Sequence, residues 1–129
     1  MKYLLDTHVV IWWMQNSRKL SRVARRIIER DDCVVSVLSI WEMLNKQNAN
    51  QLNLPDGSIA EAIVRAGFGL LPLTASHIEA GLAINDLQDD PFDRMLVGTA
   101  KTEGFTLLTR DAAILERAAK HLPKRLIEV

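Results

Sequence analysis

The 129-residue sequence contains a single cysteine, Cys33, and this scarcity excludes two kinds of stabilisation. One thiol cannot form an internal disulfide, and no Cys-based zinc site can be built from it. Cys33 stands in an apolar stretch, so we expect a buried, unreactive thiol rather than a nucleophile. The low cysteine content fits a reducing compartment, and we expect the protein to act in the cytoplasm.

Long apolar runs and an excess of one charge are also missing. No run approaches the roughly 20 apolar residues that a membrane-spanning helix needs, so we expect no contact with a membrane. Charges at Lys2 and Asp6 interrupt the first apolar run, which argues against a secretory signal. Sixteen basic residues balance 16 acidic ones, so the net charge gives no support for nucleic-acid binding. Such a function must depend on local patterns.

Proline and glycine are too few to mark a linker. Four prolines and six glycines are spread along the chain, and no repeat or low-complexity tract divides it. An apolar content of 48% with 25% charged residues is typical of a globular protein. The length suffices for one core without disulfides. We therefore predict a single domain over residues 1–129.

Short apolar segments alternate with amphipathic ones along the chain. Their spacing predicts strands at 2–6, 33–37, 69–73, 105–108 and 126–129, and helices at 7–14, 21–30, 39–48, 59–66, 76–85, 90–104 and 111–121. Alternation of this kind predicts an α/β sandwich with a mostly parallel sheet. Asp90 before Pro91 is a specific helix start, and the segment Ser76–Glu79 has the form of a capping box.

Four acidic residues stand where this architecture places ligands. Asp6 and Asp111 follow strands directly, whereas Glu42 and Asp93 lie in the first turns of predicted helices. Ligands of parallel sheets bind outside the carboxyl ends of the strands, so these acids are expected to share one edge. Taken singly, each acid has a simpler explanation as a helix cap, a helix-start charge or a solvated side chain.

Taken together, the acids predict a cation. Clustered carboxylates repel one another unless a cation neutralises them, and Mg²⁺ or Mn²⁺ prefers oxygen ligands. Such sites catalyse phosphoryl transfer by activating and orienting a water molecule. Zinc is not indicated, because His8, His77 and His121 show no metal-ligand spacing.

Four segments of the chain resemble a known family. In order and with family-like spacing, they are Leu4–His8, Ser39–Glu42, Asp90–Leu96 and Leu108–Asp111. They look like PIN domains, in particular the VapC-like toxins of bacterial toxin–antitoxin pairs, and the resemblance spans nearly the whole chain. The Pro-Phe-Asp-Arg-Met part is the most specific. The chain departs from the pattern at Gln88, where many relatives have histidine, and in the polar residues Asn45, Gln47 and Asn48.

The resemblance implies a fold, an activity and partners. It implies a three-layer α/β/α sandwich around a parallel sheet. It implies an endoribonuclease that leaves a 5′-phosphate and a 3′-hydroxyl, with Mg²⁺, or Mn²⁺ in its place, bound by Asp6, Glu42, Asp93 and Asp111. It further implies a homodimer and a VapB-like antitoxin that occupies the active-site groove.

Other polar and aromatic residues allow more than one interpretation. Thr7, Thr109, Arg94 and Arg110 adjoin the acids and either position a phosphate or ligand, or simply cap helices and balance charge. A basic stripe is either a solvated helix face or a contact for RNA or antitoxin; it comprises Arg18, Lys19, Arg22, Arg25, Arg26 and Arg30. Trp12 and Trp13 are adjacent on a helix, so one of the two should be partly exposed.

Two other functions stay open. A receiver-like or haloacid-dehalogenase-like phosphotransfer domain would use Asp6 as its acceptor. The latter usually has a second Asp where this chain has His8, and the former needs a second acid and a late lysine that are not evident. A non-catalytic PIN-fold module that binds RNA or protein would not need all four acids. Metal titration separates these, because a module without a metal site shows no Mn²⁺-dependent change.

Overall fold

A computed structural model describes residues 2–87 and 89–129, so the departure at Gln88 lies outside the described residues. Strands and helices alternate along this part of the chain. The strands are β1 (Lys2–Leu5), β2 (Asp32–Ser36), β3 (Gly69–Leu71), β4 (Thr106–Thr109) and β5 (Leu126–Glu128). The helices are α1 (Thr7–Met14), α2 (Arg22–Arg30), α3 (Val37–Asn48), α4 (Ile59–Arg65), α5 (Ala75–Leu82), α6 (Pro91–Glu103) and α7 (Ala112–Arg117), with a 3₁₀ helix at Asn85–Leu87.

The strands form one parallel sheet in the order β3-β2-β1-β4-β5. In the centre, Leu4 is in register with Val34 of β2 and Leu107 of β4. Because side chains alternate along a strand, Leu5 and Leu4 enter different cores on the two faces. The wholly parallel sheet agrees with the prediction of a mostly parallel one.

Helices cover both faces of the sheet. On the Leu5 face the core includes Val9 and Val10 of α1 and Met43 of α3. On the Leu4 face it includes Val97 of α6 and Ile114 of α7. The three-layer α/β/α sandwich is therefore confirmed. In the part of the chain that the structure describes, no helix is long and apolar enough to cross a membrane.

Helices α5 and α6 cross at unusually close range. A Cβ atom on Gly98 would lie 2.5 Å from the backbone nitrogen of Gly81 and 2.8 Å from the carbonyl oxygen of His77. Only glycine at both crossing positions permits this approach. The fully buried His77 ring adds a second link, since its Nε2 lies 3.0 Å from Oε2 of Glu103 on α6. Helix α6 is thus held firmly against its neighbour.

Helix starts show where local predictions were right and wrong. Asp90 caps α6 by accepting from the backbone N–H of Asp93, as the sequence predicts. The capping box at Ser76–Glu79 was wrong: α5 is capped by Thr74, whose hydroxyl accepts from the N–H of His77. The His77 ring in turn accepts from the N–H of Thr74. A histidine in the reciprocal position is not part of the usual Ser/Thr-x-x-Glu pattern, so the signal was missed.

The remaining differences concern element ends. Residue 37 begins α3 rather than ending β2, because the Ser36 hydroxyl accepts from the N–H of Leu38 and caps the helix there. Helix α5 ends at Leu82, where the predicted helix was to reach 85. Helix α7 ends at Arg117 instead of near His121, and a turn leads from there into β5.

Candidate active site

Parallel strands bring the four predicted acids to the same edge of the sheet. Asp6 follows β1 directly and caps α1. Glu42 lies on α3, which follows the neighbouring strand β2 without a loop. Asp111 comes two residues after the end of β4, on the other side of β1, and Asp93 lies in the first turn of α6. The edge is the one at which ligands bind in such sheets.

Three of the acids line one narrow cleft. Asp6, Glu42 and Asp93 surround a cavity of about 10 Å³ together with Thr7, Leu38, Ser39, Phe92 and Leu96. This is about the space that one water molecule needs. Asp111 is not among the lining residues, but its charge acts on Asp93. The structure therefore places three acids in the cleft and the fourth at its margin.

Asp6 is held rigidly by its neighbours. Its Oδ1 accepts from the backbone N–H of Thr7 at 2.7 Å, and its Oδ2 accepts from the hydroxyl of Thr109 at 2.6 Å. These donors lower the pKa of Asp6, but burial and the nearby charge of Glu42 outweigh them and raise it. The carboxyl group is thus oriented for a ligand, whereas its ionised form is still destabilised by burial and by the charge of Glu42.

The pKa of Asp93 is also strongly perturbed. Burial, followed by the charges of Asp90, Asp111, Asp6 and Glu42, raises the pKa of Asp93 to about 8. Its side chain is only 8% exposed and has no hydrogen-bond donor beside it in the described part of the chain. A cation in the cleft would relieve this repulsion. A strongly shifted pKa in a cleft is typical of functional sites.

Thr109 connects two of the acids. Its hydroxyl donates to Asp6 and accepts from the backbone N–H of Asp111 at 3.0 Å. Asp111 in turn caps α7 by accepting from the N–H of Ile114 at 3.0 Å. The Thr7 hydroxyl, by contrast, donates to the hydroxyl of Ser39 at 2.9 Å. Both threonines therefore order the wall of the cleft.

The two arginines beside the acids are engaged elsewhere. Arg94 donates through Nη2 to the carbonyl of Leu82 at 2.7 Å and through Nε to the carbonyl of Gly81 at 3.3 Å. Arg110 donates through Nη1 to the carbonyl of Lys19 at 2.6 Å. Arg94 thus ties α6 to the end of α5, and the exposed Arg110 spends one of its five N–H donors on the segment before α2.

The donor set at this edge suits a hard cation. Among residues 2–87 and 89–129, no three His, Cys, Asp or Glu side chains stand close enough together to enclose a metal ion. Mg²⁺ is usually bound by one or two carboxylates and keeps several waters, so a site for it does not require three such side chains. Oxygen donors with uncompensated negative charge therefore fit Mg²⁺.

Two participants were not among the predicted site residues. Asp90 was interpreted only as a helix cap, yet among the neighbouring charges it contributes most to the raised pKa of Asp93. Ser39 lines the cleft and receives the Thr7 hydrogen bond. The spacing could have indicated the role of Asp90, because a helix cap and the residue three positions later lie at the same helix end, so their charges are close.

Comparison with known proteins places this architecture in a family. Residues 3–120 match the model of the PIN domain. The chain is 32% identical over 126 residues, covering 92% of both chains, to Ribonuclease VapC22 of Mycobacterium tuberculosis.

Solved structures share the fold at lower identity. The chain superposes with a TM-score of 0.66 on VapBC2 of Rickettsia felis bound to a promoter DNA fragment, at 14% identity and with coverage of 100% and 99% of the two chains. The TM-score is also 0.66 for the DNA-bound VapBC of Salmonella typhimurium, at 19% identity and 99% and 98% coverage. Together with the family match, these similarities show that the chain belongs to the PIN-domain family and is VapC-like within it.

Proposed function

We propose that this protein is a Mg²⁺-dependent endoribonuclease and the toxin of a VapBC-like toxin–antitoxin pair. The observation that carries the proposal is the convergence of three acids on one cleft with a fourth at its margin, where burial and the charges of Asp90, Asp111, Asp6 and Glu42 raise the pKa of Asp93 to about 8. The relative from Mycobacterium tuberculosis is named a ribonuclease, which supports RNA as the substrate. The structural neighbours are toxin–antitoxin complexes, which supports an antitoxin partner.

Each acid has a distinct task in this proposal. Asp6 is oriented on both oxygens and would bind the cation together with Asp93, while Glu42 across the cleft would orient the attacking water. Asp111 at the margin would add charge and orient a metal-bound water. Mg²⁺, when bound, supplies an activated water and a positive charge that stabilises the phosphoryl transition state.

Asp93 couples cation binding to a proton. With a pKa of about 8, its carboxyl is mostly protonated at neutral pH when no cation is present. Asp93 would hold a cation in its ionised form, so it would release the proton on cation binding. We infer that the affinity for Mg²⁺ increases with pH up to about 8 and then levels off.

The Asp93→Asn variant tests the catalytic role. It keeps the shape of the side chain and removes the charge, and we expect Mg²⁺-dependent RNA cleavage to fall by at least about 100-fold. The control is Glu29→Gln on α2, an exposed acid at the opposite edge of the sheet, which should cleave like wild type. Cleavage is measured with purified proteins, with and without Mg²⁺ or Mn²⁺.

Expression in bacteria provides a second measurement with the same variants. Wild type and Glu29→Gln should arrest growth unless a small antitoxin is co-expressed, whereas Asp93→Asn should not. If folded Asp93→Asn cuts RNA at the wild-type rate, the four-acid mechanism is wrong. If wild type cuts RNA but does not slow growth, the nuclease assignment stands and the toxin assignment does not.

The non-catalytic binding module is the alternative that these measurements address. It predicts RNA or protein binding without cleavage and no Mn²⁺-dependent change on titration. Four converging acids disfavour it, because a binding surface gains nothing from carboxylates that repel one another and the RNA backbone. The homodimer and the cytoplasmic location stay predictions.

A further inference from the structure

A second polar cluster lies around the half-buried Trp12 of α1. The ammonium nitrogen of Lys19 lies 5.9 Å from the centroid of the Trp12 ring, and the guanidinium carbon of Arg110 lies 5.7 Å from it. The Arg110 side chain is further fixed by its hydrogen bond to the Lys19 carbonyl. Both cations are therefore held by an aromatic ring instead of moving freely in solvent.

This cluster borders the acidic cleft. Arg110 is the residue between Thr109, which donates to Asp6, and Asp111. On the other side, the exposed His8 follows Thr7 of the cleft wall, and its ring centroid lies 5.9 Å from that of Trp12. A basic and aromatic surface thus adjoins a strongly acidic one.

The charges of the two cations are not neutralised. In the part of the chain that the structure describes, neither Lys19 nor Arg110 forms an ion pair, and both are exposed. Arg110 retains several N–H donors after its bond to the Lys19 carbonyl. Arg94, on the other side of the cleft, directs its guanidinium to backbone carbonyls. Two fixed and unpaired cations beside the cleft therefore indicate a binding site for an anionic ligand.

We propose that Lys19 and Arg110, held on Trp12, bind a phosphate of a single-stranded RNA next to the one in the acidic cleft. This inference rests on the proposed function and names the surface that positions its substrate. A cleft of acids repels the RNA backbone, and two fixed cations at its margin would offset that repulsion without entering the cation site. The partly exposed Trp12 and the exposed His8, whose ring centroids lie 5.9 Å apart, add aromatic surface beside the cations, which suits an unpaired strand.

The salt dependence of RNA binding tests the proposal without requiring activity. A short fluorescein-labelled single-stranded RNA is titrated with full-length protein in EDTA, and its dissociation constant is measured by anisotropy at several salt concentrations. Each phosphate contact of a single strand contributes about 0.7 to the slope of log affinity against log salt. Because both cations contact one phosphate, we expect the double variant Lys19→Gln/Arg110→Gln to lower the slope by about 0.7 and to weaken binding about fivefold at about 0.1 M salt, and each single variant to cause a measurable part of that loss.

Charge-preserving and distant variants serve as controls. Lys19→Arg and Arg110→Lys should keep most of the slope, which separates charge from packing. Arg30→Gln removes another exposed charge, at the end of α2. Arg30 lies two residues before Asp32, which pairs with Lys2 where β1 and β2 begin, at the amino edge of the sheet. It belongs to the basic stripe but is far from the cleft, so it should bind RNA like wild type.

The outcomes separate this inference from the proposed function. If wild type binds and cleaves RNA but Lys19→Gln and Arg110→Gln keep its slope and affinity, the phosphate site is wrong and the nuclease stands. If Arg30→Gln lowers the slope as much as they do, the contact is a diffuse basic face and the site is also wrong. If wild type neither binds nor cleaves RNA, both proposals fail.

Discussion

The two ends of helix α6 are built in opposite ways. Its amino end carries the cap Asp90 and, in the first turn, Asp93, whose carboxylates repel each other and those of the other acids. Its middle and end pack tightly on α5 through Gly98, and Glu103 pairs with the buried His77. The comparison indicates that the firm contacts of one end hold the repelling charges of the other in place, a common arrangement at functional sites.

The largest expected effect concerns the amino end of α6, where the carboxylates repel one another, and it is a dependence of the free energy of unfolding on pH. Burial and neighbouring charges raise the pKa of Asp93 to about 8 in the folded protein, whereas an unfolded Asp titrates near 4. The folded state therefore binds the proton more tightly, and the stability that this contributes is lost as pH rises from about 4 through 8. For metal-free protein we expect the free energy of unfolding to fall by about 2–4 kcal/mol between about pH 5 and pH 8.5.

Urea unfolding in EDTA at several pH values measures this effect. Asp93→Asn removes the titrating group, so it should be more stable than wild type at high pH and lose much less stability as pH rises. The exposed Glu29→Gln should follow wild type. Equal pH dependence in wild type and Asp93→Asn would contradict the repulsion described for this end.

The tight packing of α6 on α5 is tested by adding one methyl group at Gly98. In Gly98→Ala the new Cβ would meet the nitrogen of Gly81 at 2.5 Å, and backbone atoms cannot rotate away. We expect a loss of about 1–3 kcal/mol, because the helices must separate, even though alanine favours helix by about 1 kcal/mol over glycine. Lys101→Ala, an exposed change on the same helix, should stay within about 0.5 kcal/mol of wild type.

RNA cleavage sharpens this test. If the crossing holds Asp93 in place, Gly98→Ala should also lower cleavage at a temperature where the variant is folded, whereas Lys101→Ala should not. Unchanged stability of Gly98→Ala by thermal and urea unfolding would show that the crossing is looser than the structure indicates.

The smallest effect concerns Arg94, which ties the first part of α6 to the end of α5. Arg94→Ala removes the bonds to the carbonyls of Leu82 and Gly81, for which we expect a loss of about 1 kcal/mol in urea unfolding. Cleavage should change little if that attachment is its only role. A loss of cleavage of about tenfold or more at unchanged stability would instead support the phosphate contact that its position in the sequence suggests.

Much of the fold and the candidate site could be predicted from the sequence, for physical reasons. The middle of β2, Cys33–Val35, is apolar and buried on both faces of the sheet, so the position of this strand is readable. Asp6 and Asp111 were located because each follows such a strand. Both ends of helix α6 could be predicted because the start signals, the cap Asp90 and Pro91, and the stop signal, Gly104 at φ 73°, are local in the sequence.

The remainder depends on contacts between distant residues. Nothing local shows that Thr109 would donate to Asp6, 103 residues away, or that Arg94 would reach across to α5. The capping role of His77 was missed because its ring takes the place of the usual Glu or Gln side chain. Arg110 and Lys19 were candidates for a phosphate contact, but their grouping around Trp12 was hidden, since Trp12 and Arg110 meet only after the sheet has formed.

The short connection after β4 limits how the chain can change in length. Arg110 alone separates Thr109, bonded to Asp6, from Asp111, which caps α7. An inserted or deleted residue here would shift the two side chains relative to each other and misalign the cleft. The exposed connection between α3 and α4, residues 49–58, carries no predicted site residue. Length variation among relatives, and inserted tags in engineered versions, should therefore be accommodated at 49–58 and excluded at 109–111.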